Sequence, residues 1–189
     1  APAISVPEDI TMSNDIGVCG ANVTFSVSAT DNCELASLDV SPSSGSFFSV
    51  GTTEVTVTAI DGEGHTSNST FNVTVTDDEA PALALIGEPV VLWPPNHKYV
   101  SFEVSDFVQS ITDNCTNLDV SNVLITHVSS DEAENARGRG DGNTRDDILF
   151  NGEQLELRAE RQGGGNGRVY TIYMSVVDEY NNTTTASCQ

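Results

Sequence analysis

The stretch "TEVTVTAIDGEGHTSNSTFNVTVT", Thr53 to Thr76, decides the fold. Val55, Val57 and Ala59 alternate with polar residues, and so do Phe71, Val73 and Val75. Alternation of period two puts one face of a strand in a core and the other in water. Between the runs lies "DGEGHT", a turn rich in glycine and acid. The reading is two strands, each with one apolar face, separated by an acidic turn.

Working outward, "VTFSVSA" (Val23 to Ala29) repeats the pattern upstream. Downstream, "YVSFEVSDF" (Tyr99 to Phe107), "LDVSNVLITHV" (Leu118 to Val128), "LELRAE" (Leu155 to Glu160) and "RVYTIYMSVV" (Arg168 to Val177) alternate in part. No stretch of ten residues carries a helical stripe. Short strands separated by turn residues predict an all-β chain of antiparallel sandwiches. "RQGGGNGR" (Arg161 to Arg168) reads as a long hairpin connection, and the polar run 129–147 as a loop insertion.

The chain repeats itself. "TDNCELASLDVS" (Thr30 to Ser41) matches "TDNCTNLDVS" (Thr112 to Ser121) with a two-residue gap. "AIDGEGHTSNST" (Ala59 to Thr70) matches "VVDEYNNTTTAS" (Val176 to Ser187), and "APAISV" at Ala1 matches "APALAL" at Ala80. Two tandem immunoglobulin-like sandwiches follow, residues 1–79 and 80–189, joined through "TDDEAPA". In this alignment Phe71 falls on Cys188. The first copy continues through "NVTVT", whereas the second reaches Gln189, about five residues short, a brief strand's worth.

The 189 residues carry 7 Lys+Arg against 28 Asp+Glu, a net charge of -21. Nucleic acids and anionic membranes need a basic footprint, so neither is an expected partner. No apolar run is long enough for a membrane-spanning helix. Ala1 reads as a processed or trimmed start.

Four cysteines, Cys19, Cys33, Cys115 and Cys188, lack the spacing of a zinc site. An even count in a chain rich in N-x-S/T sites predicts two disulfides and an oxidising, extracellular location. Three pairings exist. One bridge per module, Cys19–Cys33 and Cys115–Cys188, is favoured, each contributing about 3–4 kcal/mol.

Residues 1 to about 80 resemble a hyalin repeat, an extracellular immunoglobulin-like module. The resemblance is carried by "PEDIT", "GVCGANVTFSVSATDNC", "SPSSGSFFSVGTTEVTVTAIDGEGHTS" and "FNVTVTDDEAP", in that order and spacing. It implies that Cys19 pairs with Cys33. Related repeats often carry another cysteine near Ser69, which this chain lacks. Residues 81 to 189 resemble a module found beside such repeats in secreted bacterial proteins. The marks are "LWPPNHKYV" (Leu92 to Val100), "GDGNT" (Gly140 to Thr144) and "LRAERQGGGNGRVYTI" (Leu157 to Ile172). Neither resemblance implies catalysis. Both imply adhesion, spacing and display.

The linker acids Asp77, Asp78 and Glu79 resemble those of calcium-rigidified cadherin-like arrays. Calcium takes six to eight oxygens. Glu8 or Asp9, Asp61 and Glu63 are expected to converge on that linker. A second candidate calcium loop is "DGNTRDD", with Asp141, Asn143, Asp146 and Asp147; it lacks the closing Glu of an EF-hand. The bland reading of both is a solvated acidic turn. Candidate glycosylation sites are Asn22, Asn68, Asn72, Asn181 and Asn182; Asn114 has Cys as its middle residue and is poor. Asn68 and Asn72 point to the same face of one strand. Arg139-Gly140-Asp141 is an integrin-type tripeptide that the "GDGNT" context already explains. Trp93, beside two prolines, is expected to be buried as a cap on the sandwich; exposed, its ring would stack on a sugar.

No hydrolase triad, nucleotide-binding glycine motif or H-E-x-x-H occurs. Two small sandwiches leave little room for a deep cleft, so the chain reads as a non-enzyme. The expectation is a secreted, calcium-stabilised, glycosylated adhesive or structural module. It would assemble head-to-tail into a fibre or array, with "APAISVPEDI" of one copy completing the sheet edge of the next. A recognition module for glycans or cell-surface proteins is the alternative. Its partners are itself, neighbouring modules, or glycans.

Overall fold

The computed structural model describes residues 1–132, 145–152, 154–160 and 168–189. The chain divides into two compact units, Ala1–Glu79 and Ala80–Gln189. Among the described residues all regular structure is β, apart from two single 3-10 turns.

In the first unit the decisive hairpin is formed by β7 (Gly51–Asp61) and β8 (Thr66–Thr76), in register from Ile60–Thr66 to Gly51–Val75. The sheet order is β2-β8-β7-β5, with β2 at Ile10–Ser13 and β5 at Leu35–Ser41. β2 runs parallel to β8, with Ile10 opposite Val73, an exception to the antiparallel expectation. Two smaller pairs complete the unit: β1 (Ala3–Ser5) with β4 (Ser28–Thr30), and β3 (Gly20–Asn22) with β6 (Phe47–Ser49). Val55, Val57 and Val73 are fully buried, and Val75 nearly so. Each such side chain contributes about 1.5–3 kcal/mol through loss of apolar surface to water. Phe25, Phe48 and Phe71 meet edge-on above them.

The run Val23 to Ala29 keeps its alternation but is mostly not a ladder strand. Val23 exchanges backbone bonds with Gly45 and Ser46, and the Ser44 hydroxyl bonds both Phe25 N and Phe25 O. A serine side chain substitutes for a partner strand there. The period predicts which side chains are buried, and the partner chain decides whether a ladder forms.

Among its described residues the second unit has three sheets. β12 (Leu124–Ser130), β15 (Tyr170–Val177) and β16 (Thr183–Cys188) form one; β10 (Tyr99–Phe102), β14 (Leu155–Arg158) and β13 (Ile148–Phe150) form another. β9 (Ala82–Leu85) pairs with β11 (Val108–Thr112). Their inner faces enclose Phe102, Phe107, Ile125, Leu155, Ile172 and Met174. Two expected strands are cut short by 3-10 turns at Val104–Asp106 and Val120–Asn122. In both, the turn is closed by side chains: Asp106 accepts from Glu103 N, and Asp119 accepts from Ser121 N. Such local bonds compete with strand pairing.

The favoured disulfides do not form. Cys33 and Cys188 are free thiols, whereas Cys19 and Cys115 are disulfide-bonded. The reason is strand length. Cys19 O accepts Val50 N at the start of β7, whereas Cys33 adjoins Glu34, whose carbonyl accepts Gly62 N just past the end of β7. An 11-residue strand therefore separates Cys19 from Cys33, roughly 30 Å at about 3.3 Å per residue. In the second unit Cys188 lies opposite Ile172, at the end of β16 away from its turn. Cys115 adjoins Thr116, which accepts Glu179 N inside that turn. Disulfides need Cα atoms within about 7 Å, so neither pair qualifies.

Candidate functional site

The repeated sequence builds the same turn twice. In the first unit Asp61 Oδ1 accepts Glu63 N at 3.0 Å and His65 N at 2.9 Å, and Asp61 Oδ2 meets His65 Nδ1 at 2.9 Å. In the second, Asp178 Oδ1 accepts Tyr180 N and Asn182 N at 2.8 Å each, and its Oδ2 accepts Asn182 Nδ2 at 2.8 Å. The left-handed residue these turns need is Gly64 in one and Asn181 in the other, a residue type that tolerates φ near 70°. Burial by itself would raise the Asp61 pKa. The bonds from His65 and Glu63 outweigh it and hold the carboxyl at about 2.

A second repeated aspartate stands beside each turn. Asp31 and Asp61 both lie near the Ala1 ammonium, at 3.5 and 3.6 Å. Asp113 and Asp178 offer oxygens within 4.8 Å of one another. Asp113 Oδ2 accepts Cys115 N and Thr116 N, while its Oδ1 is buried without a hydrogen bond. Residues 31, 113 and 178 were not among the expected ligands. The signal for them is the repeat: "TDNC" occurs twice, and Asp61 and Asp178 occupy the same place in both hairpins.

The linker candidates do not converge as expected. Asp61 and Glu63 lie at one end of β8 and Asp77 to Glu79 at the other, about 30 Å or more apart. Asp9 instead caps β8 from the side: its carboxylate accepts Asn72 N at 2.7 Å and Asn72 Nδ2 at 3.2 Å. Those bonds lower its pKa, the backbone bond most. Around the linker acids the partners come from residues 13–17. Asp78 accepts the Ser13 hydroxyl, and Asp78 N donates to Asn14 Oδ1. Both Glu79 oxygens accept Gly17 N, at 2.9 and 3.0 Å. Asp77 is buried and accepts Glu79 N.

Of the second candidate calcium loop, Asp141 and Asn143 lie outside the described residues, as do Arg139 and Gly140 of the integrin-type tripeptide. Asp146 is exposed, in a left-handed conformation. Asp147 is 1% exposed, and its carboxylate meets Arg168 Nη1 and, at 3.5 Å, Arg158 Nε. Its charge is met by guanidinium groups. Arg168 also contacts Glu160 at 3.2 Å and Glu132 at 3.3 Å, and His97 Nδ1 lies 3.0 Å from Glu160. Arg158 stacks on the Tyr99 ring at 4.1 Å. A planar fork with five donors suits this arrangement, as a lysine would not.

Arg158, Glu160 and Arg168 of this network line a cavity of about 370 Å³ on the second unit, together with Phe102, Leu157, Tyr170 and the segment Pro89 to Trp93. Trp93 is 73% exposed, so the expected buried cap is corrected. The cis Trp93–Pro94 bond and the exposed Val91 lie in the same segment. Among the glycosylation candidates Asn22, Asn68 and Asn181 are exposed, while Asn72 and Asn182 are half-buried and donate to Asp9 and Asp178. Asn68 and Asn72 lie on the outward face of β8.

Residues 1–75 match the HYR domain family, which supports the hyalin-repeat reading of the first unit. The match does not extend into the second. No curated protein matches the chain. Among solved structures, it is similar to the fibronectin(III)-like modules of Clostridium thermocellum CbhA, with 15% identity, 99% of this chain and 91% of that one covered, and a TM-score of 0.29. It is also similar to the extracellular cadherin domains 1–4 of protocadherin gamma B7, at 13% identity, 98% and 47% coverage and a TM-score of 0.37. The human desmocollin-1 ectodomain is similar at 13% identity, 98% and 36% coverage and a TM-score of 0.25. The chain spans less than half of those two cadherin-type chains.

Proposed function

We propose that this chain is a structural and adhesive segment of an extracellular protein, with no catalytic role. The HYR match over residues 1–75 carries the reading. Calcium stabilises it. The supporting chemistry is a set of carboxylates that recurs with the modules: Asp31 with Asp61, Asp113 with Asp178, and the linker acids Asp77, Asp78 and Glu79. Calcium prefers such hard oxygen donors, and a net charge of -21 favours any bound cation. Exposed sequons, Asn68 foremost, carry glycan in a host able to add it.

Copies associate head-to-tail through sheet edges. The N-terminal donor needs release before it can act in trans, because Ala3–Ser5 already pairs with Ser28–Thr30 and Ile10–Ser13 with Val73–Thr76. Light scattering and electron microscopy of the purified protein, with calcium and with chelator, test the reading. Calcium-dependent particles longer than one chain are expected. Monomers at every concentration with calcium present would remove the assembly step.

The exposure of Trp93 favours a second reading, recognition of glycan through its ring. A glycan array would show it as a signal lost in Trp93→Ala.

A further inference from the structure

We infer that the outward face of the β12-β15-β16 sheet in the second unit binds a neutral glycan chain, with the rings of His127 and Tyr173 as its platform. The two units treat one framework differently. Ile60 pairs with Thr66 in the first unit and Val177 with Thr183 in the second. Val55 pairs with Phe71, and Ile172 with Cys188. The two hairpins therefore correspond position by position. Each also has an antiparallel strand on its other side, β5 beside β7 and β12 beside β15.

On the outward face the first unit carries polar residues. Thr56 and Thr58 lie opposite Ser41 and Asp39 on one side, and opposite Thr70 and Asn68 on the other. In the second unit Tyr173, His127 and Leu124 stand in the places of Thr56, Ser41 and Asp39. Leu124 is 60% exposed, Tyr173 40%, and Val177 on the same face of β15 46%. The first unit fills these places with hydroxyls and a carboxylate, so the framework does not require apolar groups there. Apolar surface left in water without need marks a place of contact. A β-bulge adds to the arrangement. The register shifts between Ile125 and His127, whereas Asp39 to Ser41 run unshifted. Thr126 donates its hydroxyl to Tyr173 O at 3.2 Å. Bulges re-aim neighbouring side chains, and the His127 ring lies 5.6 Å from that of Tyr173, tilted by 33°.

Charge selects the occupant. The chain holds 28 Asp+Glu, yet β12, β15 and β16 carry no Asp, Glu, Lys or Arg. A cationic partner would be drawn to acidic surface elsewhere, and an anionic one is repelled by the net charge of -21. A second copy brings that same charge against the first. An uncharged saccharide escapes both effects. Its C–H faces suit the two rings. Its hydroxyls suit Thr185 and Ser187, which are exposed opposite Ser175 and Tyr173 and can each donate and accept. An apolar platform with a few polar groups beside it fixes a ligand's orientation. The inference rests on the recognition reading above and deepens it by assigning a different aromatic platform from Trp93.

Electrophoresis of the full chain in native gels containing β-glucan, galactomannan or arabinoxylan, with alginate as the anionic control, tests it. Expected is retardation by at least one of the neutral polymers and none by alginate. Tyr173→Thr installs the residue that the first unit carries at the same place, so the variant should keep the parent's thermal melt while its affinity falls about tenfold. His127→Ser, the matching exchange on β12, should give an independent loss. No retardation by any neutral polymer, or equal retardation by alginate, overturns the inference. So do folded Tyr173→Thr and His127→Ser variants that bind as the parent does. Binding lost in Trp93→Ala but intact in Tyr173→Thr also overturns it and leaves recognition through Trp93 standing. Sedimentation at several concentrations completes the test. A dimer that Tyr173→Thr abolishes would put a second copy on this face and overturn the glycan assignment.

Discussion

Cys188 faces Ile172 across the β15–β16 ladder, in the position that Phe71 holds opposite Val55 in the first unit. A thiol thus stands where its repeat carries a phenyl ring against the core. Burial pushes the Cys188 pKa up, which lowers the thiolate fraction. Cys33 is exposed on its turn. Alkylation of the native protein with iodoacetamide at pH 8, followed by peptide mass mapping, is expected to label Cys33 ahead of Cys188. Equal labelling rates would contradict the half-buried placement of Cys188. The same map reports Cys19 and Cys115 unlabelled until the protein is reduced.

Asp61 links stability to acid. Its folded pKa is depressed to about 2, below the ordinary carboxylate value of 3.8. Its contribution is complete above the unfolded value and is lost as pH falls through the folded one. Asp61→Asn should therefore flatten the dependence of stability on pH between about 4 and about 2. Denaturant midpoints of both proteins across that range provide the check. Parallel curves would show that the His65 and Glu63 bonds do not favour the ionised form.

Arg168→Met should destabilise the second unit by about 3–5 kcal/mol, because Asp147 and Glu160 remain buried with less positive charge beside them. Arg168→Lys should recover only part of this, since an ammonium cannot fork between two carboxylates. Urea unfolding measures both. A loss below about 1 kcal/mol for Met would place the network in effective contact with water.

Calcium at 100 times its dissociation constant should add about 2.7 kcal/mol to stability. Asp113→Asn and Asp178→Asn should each weaken that gain, if these carboxylates bind the ion. Thermal melts of the parent and both variants, with calcium and with chelator, decide it. Variants that melt lower but keep the full calcium increment would assign these two residues to the turn alone.

Much of the fold was legible in the residues. Val55, Val57, Val73 and Val75 announce their burial by period, and Asp61 and Asp178 announce a shared turn by repetition. The candidate sites were less legible. Asp61 and Asp77 look like neighbours in an acidic chain, yet an 11-residue strand lies between them. Asp147 looks like a metal ligand in "DGNTRDD", yet it faces Arg168, which is 21 positions away. Local composition carries the charge of a residue but not the partner that meets it.

Sequence by itself determined the class of structure, the two modules and the alternation that sorts core from surface, because these depend on short-range periodicity. Only the tertiary structure decided which ends of strands meet. It separated Cys19 from Cys33 and Cys115 from Cys188, exposed Trp93, and set Arg168 against Asp147 and Glu160. A strand advances about 3.3 Å per residue, so a few positions of chain carry a side chain from one end of a sheet to the other. Such distances follow from register and direction, which no short stretch of sequence contains.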